Sequence, residues 1–157
     1  MKQFCYHSPL GLIRLVSDQQ KLQQLTFINA EFPSQKDEII ARTIEYLDCY
    51  FSHNPLPALP PYEQKCSAFA REVYQSAAEI PYGEVRSYGE IAAEIALKRE
   101  IRRMSAQAVG QALKKNQLMI IIPCHRVIGT DGELVGFAGG IEVKKALLRH
   151  EGFSVKS

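Results

Sequence analysis

Four prolines within the eight residues Asn54–Pro61 constrain this chain more than any other feature. Proline fixes its own φ and donates no backbone hydrogen bond, so neither a helix interior nor a central strand runs through such a segment. The stretch reads as a stiff, extended connector. The chain is therefore expected to fold as two pieces: an N-terminal α/β domain over 1–56 and a C-terminal domain over 62–157, joined by 57–61. With 157 residues, 46% of them hydrophobic, the chain is long enough for two small cores.

The first piece alternates as strands do. Leu12–Val16 and Leu22–Ile28 read as strands of a small antiparallel sheet, with turn signals at Ser8-Pro9-Leu10-Gly11 and Ser17-Asp18. Ile39, Ile40, Thr43, Ile44, Leu47, Tyr50 and Phe51 recur at helical spacing and predict a helix over 35–52. The second piece is mainly helical. Phe69, Val73, Ala77 and Ile80 share one helix face that ends before Pro81-Tyr82-Gly83. Ser87 and Glu90 match a capping box, which starts a short helix running to about Ala96. Another helix begins near Ser105, and Asn116 is expected to close it in a left-handed conformation. These two helices form a helix-turn-helix candidate. Ala106, Ala108, Gly110 and Ala112 on the second suit either close approach to a narrow surface or tight helix packing. A last helix is expected from about Ile141 to His150.

Several function classes are disfavoured. No apolar stretch approaches the ~20 residues that span a bilayer. The start Met1-Lys2-Gln3-Phe4-Cys5 lacks a signal-peptide core, so the expected location is cytoplasmic, with no membrane partner. Cys5, Cys49, Cys66 and Cys124 form no CxxC pair and are expected to be reduced. Cys5-x-His7 and Cys49-x3-His53 supply metal-ligand types, but nothing in sequence brings them together, and no metal is expected. Net charge is only +2, yet seven basic side chains stand against one acid between Lys98 and Arg126. Such a patch attracts phosphate even on a nearly neutral protein, and equally fits a solvated helix face.

That patch leads to Ile122-Pro123-Cys124-His125-Arg126-Val127, preceded by the apolar run Leu118–Ile122. The run reads as a buried strand that delivers the Cys124 thiol on a rigid backbone. A thiol beside a base can become a thiolate, the nucleophilic form. His125 is the neighbouring base, though successive residues of an extended chain point apart, so a turn or a bridging water is required. Glu151, near the last helix, is a candidate to orient the imidazole.

Ile122–Val127 resembles the active-site signature of the O6-alkylguanine-DNA alkyltransferases (methylated-DNA–protein-cysteine methyltransferases). The similarity extends to Gly83-Glu84-Val85-Arg86-Ser87-Tyr88, Ala108-Val109-Gly110 with Asn116, Phe137-Ala138-Gly139-Gly140, Lys144 and His150-Glu151-Gly152. It covers about 62–152; Ser8-Pro9-Leu10-Gly11 adds a looser match in the first domain. The resemblance implies an α+β protein: a ribonuclease H-like N-terminal sheet and helix, then a winged helix-turn-helix. It implies a monomer that binds double-stranded DNA containing O6-alkylguanine, with alkylated thymine as a further substrate. Binding would be through the minor groove, with the damaged base flipped out. Cys124 would take the alkyl group irreversibly, once per molecule, without a cofactor. His125 would accept the thiol proton through water, Glu151 would orient it, Tyr88 would bond the flipped base, and Asn116 would organise the cysteine loop. Val127 and Phe137 would wall the pocket, backbone near Val127 and Ala138 would read the base, and Gly139 belongs to the same loop. Gln107, Ala108, Gly110 and Arg126 complete the implied DNA- and substrate-binding set.

The chain departs from the family pattern in three places. Gln107 stands where the family has an arginine that fills the gap left by the flipped base. Phe137 stands where the family has a tyrosine. The link between the two short helices, through Lys98-Arg99-Glu100-Ile101-Arg102-Arg103, is longer. On the residues alone two rival readings remain. A winged helix could bind alkylated DNA without transferring, but relatives of that kind replace the cysteine. A thiol hydrolase could use Cys124, His125 and Glu151, but no segment argues for its oxyanion hole.

Overall fold

Ser8-Pro9-Leu10-Gly11 closes the first hairpin because the Ser8 hydroxyl accepts from Leu10 N (3.1 Å) and donates to Gly11 O (2.6 Å). Gly11 takes φ +134°, open to glycine and unfavourable for other residues. The computed structural model describes residues 1–129, 132 and 139–155. The hairpin strands are β1 (Lys2–Ser8) and β2 (Gly11–Ser17). A second turn, held by the Asp18 carboxylate on the amides of Gln20 and Lys21, leads to β3 (Leu22–Ile28). The sheet is antiparallel in the order β1-β2-β3. Asp37 caps α1 (Glu38–Phe51) through Ile40 N at 2.8 Å. The face of α1 carrying Ile40, Thr43, Leu47 and Tyr50 is buried, and the helix packs on the sheet, where Tyr6 donates to Asp48 at 2.7 Å.

The chain divides into two compact units, Met1–Lys65 and Cys66–Ser157. Residues just past the prolines return to the sheet. Leu22 N donates to Pro61 O (2.7 Å) and Glu63 N to Leu22 O (3.0 Å), which carries the first unit on to Lys65.

The second unit holds α2 (Ala68–Ala78), β4 (Arg86–Ser87), α3 (Tyr88–Lys98), α4 (Ala106–Lys114), β5 (Val127–Ile128) and α5 (Ile141–His150). Val73, Ala77, Ile91, Ile95, Val109, Leu113 and Leu147 form its core. The capping box at Ser87 and Glu90 is present in full. Among the described residues the chain is α+β, with a small antiparallel sheet, a two-stranded parallel pair and five α-helices.

Two expectations are corrected. Leu118–Ile122 is buried, as expected, but it is a run of turns, not a strand. Asn116 is not left-handed. The two corrections share one cause. The Asn116 amide donates to Leu118 O (3.3 Å) and Ile122 O (3.1 Å) and accepts from Leu118 N (3.0 Å). It thereby does the hydrogen bonding that a neighbouring strand would otherwise do. Ile120 sits at φ +70° inside this turn, a strained position for a β-branched residue. No helix among the described residues is long and apolar enough to cross a membrane.

Candidate active site

Cys124 opens a single turn of 3-10 helix, Cys124–Arg126, between the Asn116-bound loop and β5. β4 and β5 pair in parallel, Arg86 with Val127 and Ser87 with Ile128. This short ladder ties the start of α3, and so Tyr88, to the end of the cysteine turn. The turn also resolves the geometry of the Cys-His pair, because its residues no longer alternate as on a strand.

The thiol is 2% exposed and accepts from Asn116 Nδ2 at 3.1 Å. Burial pushes Cys124 up to about 11, against opposing pulls from Asn116, Lys144 and the backbone amides of Cys124 and His125. His125 is wholly buried, and its Nε2 meets Glu151 Oε2 at 2.6 Å. Burial holds its pKa below the usual value despite that carboxylate, so the imidazole is neutral at pH 7. Burial alone would raise Glu151, but its bonds to His125 and Arg126 together outweigh this and keep it well below the usual carboxylate range. Its Oε1 accepts from Arg126 Nε (2.8 Å) and Gly83 N (3.3 Å), and its Oε2 also accepts from an Arg126 Nη (3.1 Å). The resting site thus holds a neutral thiol, a neutral imidazole and an ionised carboxylate. That is a nucleophile, a proton acceptor and the group that fixes the acceptor's tautomer.

Arg126 is the clearest correction among the expected site residues. It is buried, spends its guanidinium on Glu151 and on Ile80 O (2.8 Å), and lies 5.7 Å from the centre of the Tyr82 ring. It holds the carboxylate and does not face outward. Lys144, to which the sequence assigns no site role, also belongs to the site. It is fully buried, donates to Val127 O (2.6 Å) and Tyr88 Oη (3.2 Å), and lies 5.5 Å from the Tyr88 ring centre. Burial brings it down to about 8, with Cys124 pulling the other way. The signal was its spacing: Lys144, Leu147 and Leu148 form one buried face of α5.

Tyr88 is 8% exposed, pushed up to about 12 by burial and then by Cys124. On α4, a Cβ at Gly110 would stand 3.8 Å from the Tyr88 ring, an ordinary van der Waals contact, so Gly110 lies against Tyr88 without the packing requiring glycine there. Gln107 is exposed and Ala108 half-buried at the start of α4, away from the packed face of Val109, Ala112 and Leu113. Val127 is buried with its carbonyl taken by Lys144, and Gly139 is half-buried just before α5. Phe137 and Ala138 lie outside the described residues. Among the described residues no group of three or more His, Cys, Asp or Glu is arranged to hold a metal ion.

Comparison with known proteins gives one answer. Residues 68–153 match the family model "6-O-methylguanine DNA methyltransferase, DNA binding domain". A methylated-DNA–protein-cysteine methyltransferase of Methanosarcina acetivorans is 34% identical over 154 residues, covering 94% of this chain and 96% of the relative. Its counterpart in Methanosarcina barkeri is 37% identical, with 92% of each chain covered. Among solved structures, Mycobacterium tuberculosis OGT in complex with DNA superposes with a TM-score of 0.83 at 32% identity, over 96% of this chain and 92% of that one. A model spanning more than half of the sequence, and relatives alike along nearly their whole length, make this chain a member of the methylated-DNA–protein-cysteine methyltransferase family.

Proposed function

We propose that this protein repairs DNA by moving the alkyl group of O6-alkylguanine onto Cys124, once per molecule. The observation that carries the reading is the His125–Glu151 bond of 2.6 Å one residue from a buried thiol held by Asn116. The relatives' shared name and the DNA-bound mycobacterial structure support it.

In the proposed reaction, α3 and α4 act as the helix-turn-helix of a winged domain. The exposed start of α4 (Gln107, Ala108) enters the minor groove, and the damaged guanine turns out of the stack, at a cost of a few kcal/mol that pocket contacts offset. The thiol proton passes through water to the His125 nitrogen not bonded to Glu151. The thiolate attacks the alkyl carbon; the new S–C bond forms as the C–O6 bond breaks, and its electron pair leaves with the guanine, which is then protonated. Tyr88 bonds the leaving base, and Lys144, beside Tyr88, favours the thiolate electrostatically. Val127, Phe137, Ala138 and Gly139 are assigned to the base pocket. No cofactor takes part. The thioether cannot revert, so turnover ends there.

The β1–β3 meander with α1 against it supports a ribonuclease H-like reading of the first domain (1–56), joined through 57–61 to the alkyltransferase domain (62–157). Free Cys5, Cys49, Cys66 and Cys124 fit a reducing, cytoplasmic setting. The protein is taken to act as a monomer on duplex DNA.

Incubation with a duplex carrying O6-methylguanine, followed by intact and peptide mass analysis, tests the reading. One methyl on the Cys124 peptide per chain, and none with Cys124→Ser, is the expected result. DNA binding with no mass gain, or continuous turnover of another substrate, would overturn it.

A further inference from the structure

We propose that the long link between α3 and α4 is a DNA-backbone clamp, in which Arg102 and Arg103 bind phosphates flanking the segment that α4 enters. The inference rests on the DNA-repair reading above and names a surface it does not include.

The link is fixed at its start. Arg99 N and Ile101 N close onto Ile95 O and Ala96 O (both 3.0 Å), with Glu100 at φ +56°. The Arg99 side chain is held by both oxygens of Glu72, at 2.7 to 3.1 Å. Arg99 is therefore an anchor. Arg102 and Arg103 differ from it: both are exposed, and no carboxylate among the described residues is paired with either. An arginine with its fork open to solvent suits bidentate phosphate binding.

Their position is the second observation. Arg102 and Arg103 line a groove of about 350 Å³ together with Gly89, in the first turn of α3, and Ala106, in the first turn of α4. The groove runs along the side of α3, where Ala92, Ala93, Ala96 and Leu97 line it, so the two cations border the α3–α4 pair itself. The first turn of α4 carries no charge of its own, since Ser105, Ala106 and Gln107 are neutral. The positive charge at this end must come from the link. Between Ile101 and Gly129 there are five basic side chains and no acid, and one of the five, Arg126, is consumed inside the fold by Glu151. On a protein of net charge +2, this is where a polyanion finds attraction.

The test is the salt dependence of duplex binding, followed by fluorescence anisotropy with the whole chain, the Arg102→Gln/Arg103→Gln variant and the charge-retaining Arg102→Lys/Arg103→Lys variant. Each phosphate contact contributes about 0.9 to the slope of log K against log salt, so the glutamine variant should lose about 1.8 from the slope. The lysine variant should keep nearly the wild-type slope, which excludes misfolding of the link as the cause. A glutamine variant with the wild-type slope overturns the clamp. Methyl transfer from free O6-methylguanine to wild-type Cys124 reads the site without DNA. If it proceeds while the slope does not change, the clamp alone fails; if the wild type neither takes the methyl nor binds DNA, the repair reading fails with it.

Discussion

At the scale of single residues, the resting state of Cys124 decides how the site can be probed. Its thiol is pushed up to about 11 by burial, so at pH 7 only a small fraction is thiolate. Alkylation of the Cys124 peptide by iodoacetamide should therefore accelerate by about tenfold per pH unit from pH 7 to 9, in step with the thiolate fraction. Cys49 and Cys66 are half-buried, so the label must be read peptide by peptide. A plateau below pH 8 would mean that the free protein already holds an activated thiolate. Cys124 and His125 are legible in the sequence because a thiol stands beside a base within a family-like signature, and Glu151 is legible only as a candidate that the same resemblance names. The buried roles of Arg126 and Lys144 are not. A charged residue normally stays at the surface, and only the fold reveals that Glu151 takes up one and that Val127 and Tyr88 take up the other.

At the scale of elements, helices with a capping side chain and a regular apolar period can be read directly, as α1, α2, α3 and α4 are. The Leu118–Ile122 run cannot, since an uninterrupted apolar run looks the same as a buried strand or a buried turn. What decides is Asn116, whose amide bonds the loop to itself. The β4–β5 pair is two residues long on each side and has no sequence period at all. Yet it places α3, and the Ser87 cap there can be tested. The Ser87 hydroxyl accepts from Glu90 N at 3.0 Å, and Glu90 Oε1 accepts from Ser87 N at 3.1 Å. Ser87→Ala should cost about 1 kcal/mol in urea unfolding, while Ser87→Asp, which can still cap, should cost much less. Equal stability of the alanine variant and the wild type would mean that the parallel pair, not the cap, fixes the start of α3.

At the scale of the molecule, the Glu151 carboxylate closes the second unit on itself. It gathers His125 and Arg126 from the cysteine turn and Gly83 from the turn before β4, while Arg126 reaches the end of the α2 segment at Ile80. Residues from the beginning, middle and end of the unit thus meet at one charge, and stability should follow its titration. A carboxyl whose folded pKa lies below its unfolded value adds stability that is complete above the unfolded value, here near 4.5, and is lost as pH falls through the folded one. His125 works in an adjoining window. Burial lowers its pKa, so the unfolded chain binds the extra proton first and stability falls from about pH 6.5 downward. Urea unfolding followed by far-UV circular dichroism should therefore show two losses for the wild type between pH 7 and 3. Glu151→Gln should start lower at pH 7 by about 3 kcal/mol, because Arg126 is left buried without its partner charge. It should then keep the loss beginning near pH 6.5 and lack the one below 4.5. A gap between the two proteins that stays constant down to pH 3 would show that the cluster holds the unit by packing and not by charge.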